Sequence, residues 1–183
     1  MNIHKEMWQA AQLIEKLKEG GRYPGVEGIV YGLKDQLSQL DFFYNNLVPK
    51  QGGDASKTFY RLRNPINEHQ LVYINLNRGY PKETFDGHYC YVVKNFNDSL
   101  IVIPVTSVKP KTYLNEEYEM EIESTDGTSC ILQIANIRSV DVMRVVQEKT
   151  YKELKTDKNT IMEKIISVIF KKVLTNKFKC GIM

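Results

Sequence analysis

The sequence is short of the residues that make covalent staples and metal sites. It has three cysteines, Cys90, Cys130 and Cys180, none of them in a CxxC pair, and three well-separated histidines, His4, His69 and His88. That supply supports neither a disulfide framework nor a zinc constellation, so the expected chemistry uses no metal and no cofactor. No apolar run approaches the ~18 residues that a membrane-spanning helix requires. The opening stretch, MNIHKEMWQAAQLIEKLKEG, has no apolar block behind a basic one, which does not read as a secretory leader and makes a cytoplasmic location the expectation. The composition also excludes a disordered or collagen-like chain.

What is present is an ordinary globular composition. The 183 residues are 42% hydrophobic and 26% charged, with a formal net charge of +3. That length can bury a core without cross-links. The charge is unevenly placed: nine lysines lie between Lys149 and Lys179 against Glu153, Asp157 and Glu163. A basic stretch of this kind suits a nucleic acid or an acidic partner, or is simply a solvated helix face.

Hydrophobic periodicity changes once along the chain. Met7, Ala10, Ala11, Ile14 and Leu17 recur at helical spacing up to Gly20-Gly21. After the turn-rich RYPGVEG, a second amphipathic helix is marked by Val30, Leu33, Leu37, Leu40, Tyr44 and Leu47, ending at Pro49 and QGGDASK. From Leu71 the pattern becomes that of strands: LVYINL, then GHYCYVVKNF and SLIVIPVTSV as a hairpin about NDS. EYEMEIES alternates, with Glu117, Glu119, Glu121 and Glu123 on one face and Tyr118, Met120 and Ile122 on the other. Asp126-Gly127 is a turn signal before the strand SCILQIANI. SVDVMRVV then reads as turning toward helix, and Asp157 to Lys177 as a clear helix with Ile161, Ile165, Val168, Ile169 and Val173 as its buried stripe. Five or so strands without intervening helices imply an antiparallel barrel or sandwich.

Three short stretches carry the polar chemistry: Asn77 to Tyr89 (NRGYPKETFDGHY), Pro104 to Lys109 (PVTSVK) and Ala135 to Val140 (ANIRSV). In the order LVYINLNRGYPKE, GHYCYVV, LIVIPVTS and LQIANIRSVDVMRVV, the segment Leu71 to Val146 resembles the PemK/MazF-like toxins, SH3-like barrels that act as metal-independent ribonucleases. Thr106, Ser107 and Lys109 also resemble the Thr-Ser-x-Lys segment of the ToxN/AbiQ endoribonucleases, whose antitoxin is an RNA. The better-studied members have an Arg where this chain has Tyr89, and a Pro where it has Cys90. The resemblance implies a single-stranded RNA substrate, a cognate antitoxin of protein or RNA, and the homodimer common in the family.

Metal-free RNA cleavage uses the ribose 2′-OH as nucleophile. It needs a base, an acid for the leaving 5′-oxygen, and donors or cations at the phosphorane. His88 is the barrel-segment side chain suited to proton transfer near neutral pH. Thr106 and Ser107 can donate to phosphate, and Lys109 and Arg78 can supply positive charge. Tyr89 can donate a hydrogen bond or stack on a base. Glu83 and Arg138 complete the candidate substrate-binding set, with loop ordering and barrel support as their alternative roles. Phe59-Tyr60-Arg61-Leu62-Arg63 suits single-stranded RNA, but reads better as a packed lead-in. The terminal Cys180-Gly181-Ile182-Met183 fits a prenylation pattern only by coincidence.

The expected architecture is therefore α+β: a helical extension over residues 1–60, a small antiparallel SH3-like barrel over 61–150, and a C-terminal helical region over 151–183. The leading expectation is an endoribonuclease toxin. The alternatives are a barrel that binds RNA or protein without cutting, and a purely structural interaction protein.

Overall fold

The computed structural model describes residues 1–80, 82–110 and 113–177, with side chains through Phe170. The chain divides into two compact units, Met1–Thr58 and Phe59–Met183. No helix among the described residues is long and apolar enough to cross a membrane. The Cys180-Gly181-Ile182-Met183 terminus lies outside the described residues.

The first unit is helical. α1 (Ile3–Glu19) begins where the Asn2 carboxamide oxygen accepts from the Lys5 N–H. α2 (Val26–Phe42) continues through a π turn, Phe43–Leu47, into the short α3 (Val48–Lys50). The widened turn immediately precedes Pro49, whose ring would strike the Asn45 carbonyl in a regular helix. Val26 and Val48 are its only buried apolar side chains. Val30, Leu33, Leu37 and Leu40, which the periodicity would place in a core, are exposed.

The second unit is a curled antiparallel sheet. Its strands are β1 (Gln70–Asn75), β2 (Gly87–Asn95), β3 (Ser99–Ser107), β4 (Glu119–Glu123), β5 (Ser129–Gln133), β6 (Arg138–Asp141) and β7 (Lys152–Glu153). The order is β4-β5-β3-β2-β1-β7, with β6 also paired to β3. The curl closes through residues 152–154: β7 pairs β1 (Leu71↔Lys152), and Leu154 bridges Ser124 at the end of β4. A two-residue strand thus joins the two ends of the sheet.

Alternation divides the strands between two cores. On one face Val72, Ile74, Cys90, Val92, Leu100 and Val102 pack with Val142 and Val145, and Tyr60 and Leu62 lie against them. The 59–63 segment is in this respect a packed lead-in, and Gln147 donates to the Tyr60 hydroxyl (2.7 Å). On the other face Leu71, Tyr91, Ile103, Ile122 and Leu132 pack with Ile161 and Ile165 of α4 (Lys158–Lys177). The Asp157 carboxylate starts that helix by accepting from the Thr160 N–H (3.0 Å).

Three local expectations are corrected. SVDVMRVV does not turn helical: it forms β6 and then a single 3₁₀ turn, Val142–Arg144, because its β-branched residues pair with β3 and bury Val140. The strand in EYEMEIES starts only at Glu119, since residues 116–118 form a turn in which Asn115 accepts from the Glu117 N–H. Ile169 is exposed rather than part of the buried stripe of α4, which rests on Ile161 and Ile165. Val173's side chain lies outside the described ones.

Candidate functional site

β3 changes partners partway along. It pairs β2 as far as Cys90↔Pro104, and from Val105↔Leu132 it pairs β5 on its other edge. Pro104 is fully buried and has no N–H with which to extend a ladder. The first residues of β2 and the last of β3 therefore diverge, leaving an open fork.

A pocket of about 400 Å³ occupies this fork. Tyr73, His88, Tyr89, Thr106, Ser107 and Lys109 line it, together with Lys152 of β7 and Ser124 and Thr128 of the β4–β5 hairpin. Five of the eight residues expected from sequence (His88, Tyr89, Thr106, Ser107 and Lys109) are thus brought to one cavity. Arg78, Glu83 and Arg138 are not among its lining residues.

The tyrosines form one wall. Tyr73 and Tyr89 are cross-strand partners, and their rings meet edge-to-face at 5.2 Å, with 85° between planes. Such a pair contributes roughly 0.5–1.5 kcal/mol beyond its buried area. The Tyr89 hydroxyl donates to the Thr150 carbonyl (3.3 Å). The Tyr73 ring reaches diagonally over Gly87: a Cβ there would sit 2.7 and 2.8 Å from the ring's Cε1 and Cζ. Glycine at 87 is what lets the ring lie down.

Lysines stand over these rings. Lys149 Nζ is 5.5 Å from the Tyr73 centroid, and Lys152 Nζ 5.3 Å from that of Tyr89. Lys152 also pairs with Asp126 at 2.8 Å. That carboxylate accepts further bonds from the Ser124 hydroxyl and the Thr128 N–H at the Gly127 turn. Lys152, then the Ser124 and Thr128 donors, hold Asp126 well below the usual carboxylate range. The same contact with Asp126 raises Lys152 above an ordinary lysine, against its partial burial, so it stays charged.

Alternation sorts the strand residues. Leu71, Tyr73, Gly87, Tyr89, Val105 and Ser107 occupy one set of positions; His88, opposite Ile74, and Thr106, opposite Ile131, occupy the other. His88 Nδ1 is buried and has no hydrogen-bond partner. Cys130, which also borders the pocket, has its thiol pushed up to about 11 by burial, and burial pushes Cys90 up to about 12. Neither sulfur is poised as a nucleophile.

The three remaining candidates order the chain around the fork. Arg78 pairs with Asp86 at 2.7 Å and stacks on Phe85 at 4.2 Å. Glu83 accepts from the Tyr80 N–H (3.3 Å) in the same loop, and Thr84 ties that loop to Gln133 of β5 (2.8 Å). Arg138 donates to the Asn136 carbonyl at 3.4 Å.

Sequence reasoning did not single out Tyr73, Lys149 or Lys152. The lysine surplus after residue 149 was visible, but read as a property of the tail helix. Nothing local shows that Lys152 sits in a two-residue strand paired to β1. No protein-family model matches the chain, and no curated protein matches it.

Proposed function

We propose that the chain is a metal-independent endoribonuclease for single-stranded RNA, built on an SH3-like barrel of the PemK/MazF type and held in check by a cognate antitoxin. The observation that carries this reading is the fork itself: two tyrosines, two lysines and four serine and threonine hydroxyls gathered at one open pocket. Aromatic faces stack on unpaired bases, and lysines and hydroxyls donate hydrogen bonds to phosphate oxygens. In this reading Tyr73 and Tyr89 hold bases while Lys109 and Lys152 face the scissile phosphate. His88 takes the 2′-OH proton, the 2′-oxygen bonds to phosphorus, the P–O5′ bond breaks, and the 5′-oxygen leaves with a proton taken from water. The products are a 2′,3′-cyclic phosphate and a 5′-hydroxyl. Ser107 and Thr106 donate to the non-bridging oxygens as charge builds on the phosphorane.

The test is incubation of the protein with a long single-stranded RNA in EDTA, followed by end mapping. Cleavage that leaves 2′,3′-cyclic phosphate is expected, with a loss of about 10²-fold or more in His88→Ala. Full activity in that variant removes His88 from the mechanism. Metal-dependent cleavage, or 5′-phosphate products, overturns the reaction class.

A second reading is supported by the strand alternation, which sets His88 and Thr106 out of phase with Tyr73, Tyr89 and Ser107. The fork then binds RNA without cutting it. Salt-dependent binding with no cleavage, by a preparation free of antitoxin, distinguishes the two.

A further inference from the structure

We propose that His69 is a proton-sensitive clasp: neutral, it fastens β7 and the start of α4 against β1 and β2, and on taking up a proton it lets that corner open. The residue sits just ahead of β1 in the left-handed region (φ 68°), which histidine tolerates better than most side chains. Its N–H donates to the Val92 carbonyl (2.9 Å), which fixes it beside β2. The half-buried ring meets Tyr91 edge-to-face at 5.8 Å, and its Nδ1 lies 3.3 Å from the Tyr91 hydroxyl. Tyr91 is fully buried, in the cluster on which Ile161 and Ile165 of α4 rest. Among the described residues no other group bonds that hydroxyl.

The chemistry of this pair sets the direction of the response. A buried hydroxyl needs an acceptor for its hydrogen. Neutral imidazole offers one at Nδ1 when its own proton is on Nε2; charged imidazole donates from both nitrogens and accepts nothing. Protonation therefore strands the Tyr91 hydrogen in an apolar cluster and puts a charge on a half-buried ring. Lys158, at the start of α4, opposes that charge, while Asp157 beside it, Glu153 of β7 and the Thr156 backbone favour it. The adjacent Glu68 pairs with Lys94 (2.7 Å) and with Lys158 (3.2 Å), which keeps Lys158 at this corner. Burial, then Lys158, outweigh the acidic neighbours and hold His69 below the ordinary 6.5. Closure is thus fully supported above that value and loses support as pH falls below it.

What opens is the join between the two ends of the sheet. β7 has only two residues, paired to Gln70 and Leu71 directly after His69. From its other side Thr125, between β4 and β5, donates to the Glu153 carbonyl (2.9 Å). Loss of the clasp leaves β7 with β4 and β5 and parts it from β1. The device is set in the fold and does not depend on any reaction at the fork.

The test is NMR on the full chain. The His69 ring is expected to titrate below 6.5 in the wild type, and higher in Tyr91→Phe, which removes the hydroxyl that protonation strands. Amide-exchange protection of the β1–β7 ladder and of the first turn of α4, corrected for intrinsic exchange, should fall about tenfold from pH 7.5 to pH 5. The β2–β3 ladder should keep its protection. His69→Asn sets an acceptor oxygen in place of Nδ1, tolerates the same backbone region and takes up no proton, so its protection should not change with pH. Because that variant keeps every carboxylate, it separates their titration from that of the ring. A wild-type ring that titrates at 6.5 or above overturns the proposal, and so does a titration that Tyr91→Phe leaves unmoved. A loss of protection that His69→Asn shares, or that runs equally through the β2–β3 ladder, overturns it as well. The wild-type and Tyr91→Phe titrations decide the matter even if His69→Asn fails to fold.

Discussion

Asp126 does two things at once: it closes the hairpin turn through Ser124 and Thr128, and it holds Lys152 at the pocket. Its folded-state pKa is depressed, so the unfolded chain takes up the proton first as pH falls. The stabilisation is complete above the ordinary value of 3.8 and is lost progressively below it. Asp126→Asn should therefore lower the urea midpoint at neutral pH, and the gap from wild type should shrink between pH 4 and pH 2. A gap that stays constant over that range would mean the carboxylate is not held by its partners in solution. Gly87 makes a separate demand. Gly87→Ala should destabilise by about 1–3 kcal/mol through forced displacement of Tyr73 and weaken RNA binding, measurable by denaturation and by titration with labelled RNA. Unchanged stability would show that the ring moves aside freely. At this scale the sequence displayed His88, Tyr89 and the Thr106-Ser107-x-Lys109 run, because each lies in a polar stretch at a strand end. It did not display Tyr73, which sits inside an apolar strand and looks like core.

Elements place these side chains by changing partners. The fork exists because β3 leaves β2 at Pro104 and joins β5 at Val105. α4 packs on the same face of these strands as Tyr73 and Tyr89, with Ile161 fully buried against the cluster containing Leu71, Tyr91 and Ile103. Ile161→Ala should cost about 2–5 kcal/mol, seen as a lower urea midpoint with an unchanged slope. A cost below about 1 kcal/mol would mean that the helix docks without depending on this contact. The helix itself, the β2–β3 hairpin and the Asp126-Gly127 turn were legible, since each follows from local period or turn chemistry. β6 was misread because a four-residue strand followed by a 3₁₀ turn has no period of its own, and β-branched residues at such length are settled by the strand they meet. β7 is shorter still: two residues become a strand only because the edge of β1 is there to receive them.

Across the whole molecule the charge is partitioned. The helical unit is neutral by count, so the net +3 lies in residues 59–183. If the fork binds RNA through Lys109, Lys149 and Lys152, log affinity should fall with log salt at a slope near −2, about −0.7 per phosphate contacted. A flat response would mean that bases or other groups, not phosphates, carry the binding. The sequence by itself determined that the chain has a helical first third, an antiparallel sheet after residue 70 and a long basic helix near the end. Those features rest on local periodicity, on turn residues and on composition, all of which act over a few residues. Tertiary structure alone decided which residues meet at the fork, because Tyr73, Tyr89, Thr106 and Lys152 come from four strands whose neighbours are set by long-range pairing. It alone also decided that the helical unit does not bury the apolar stripe of α2 in a core of its own: periodicity shows that a face is apolar, and only packing within the unit shows whether its own helices cover it.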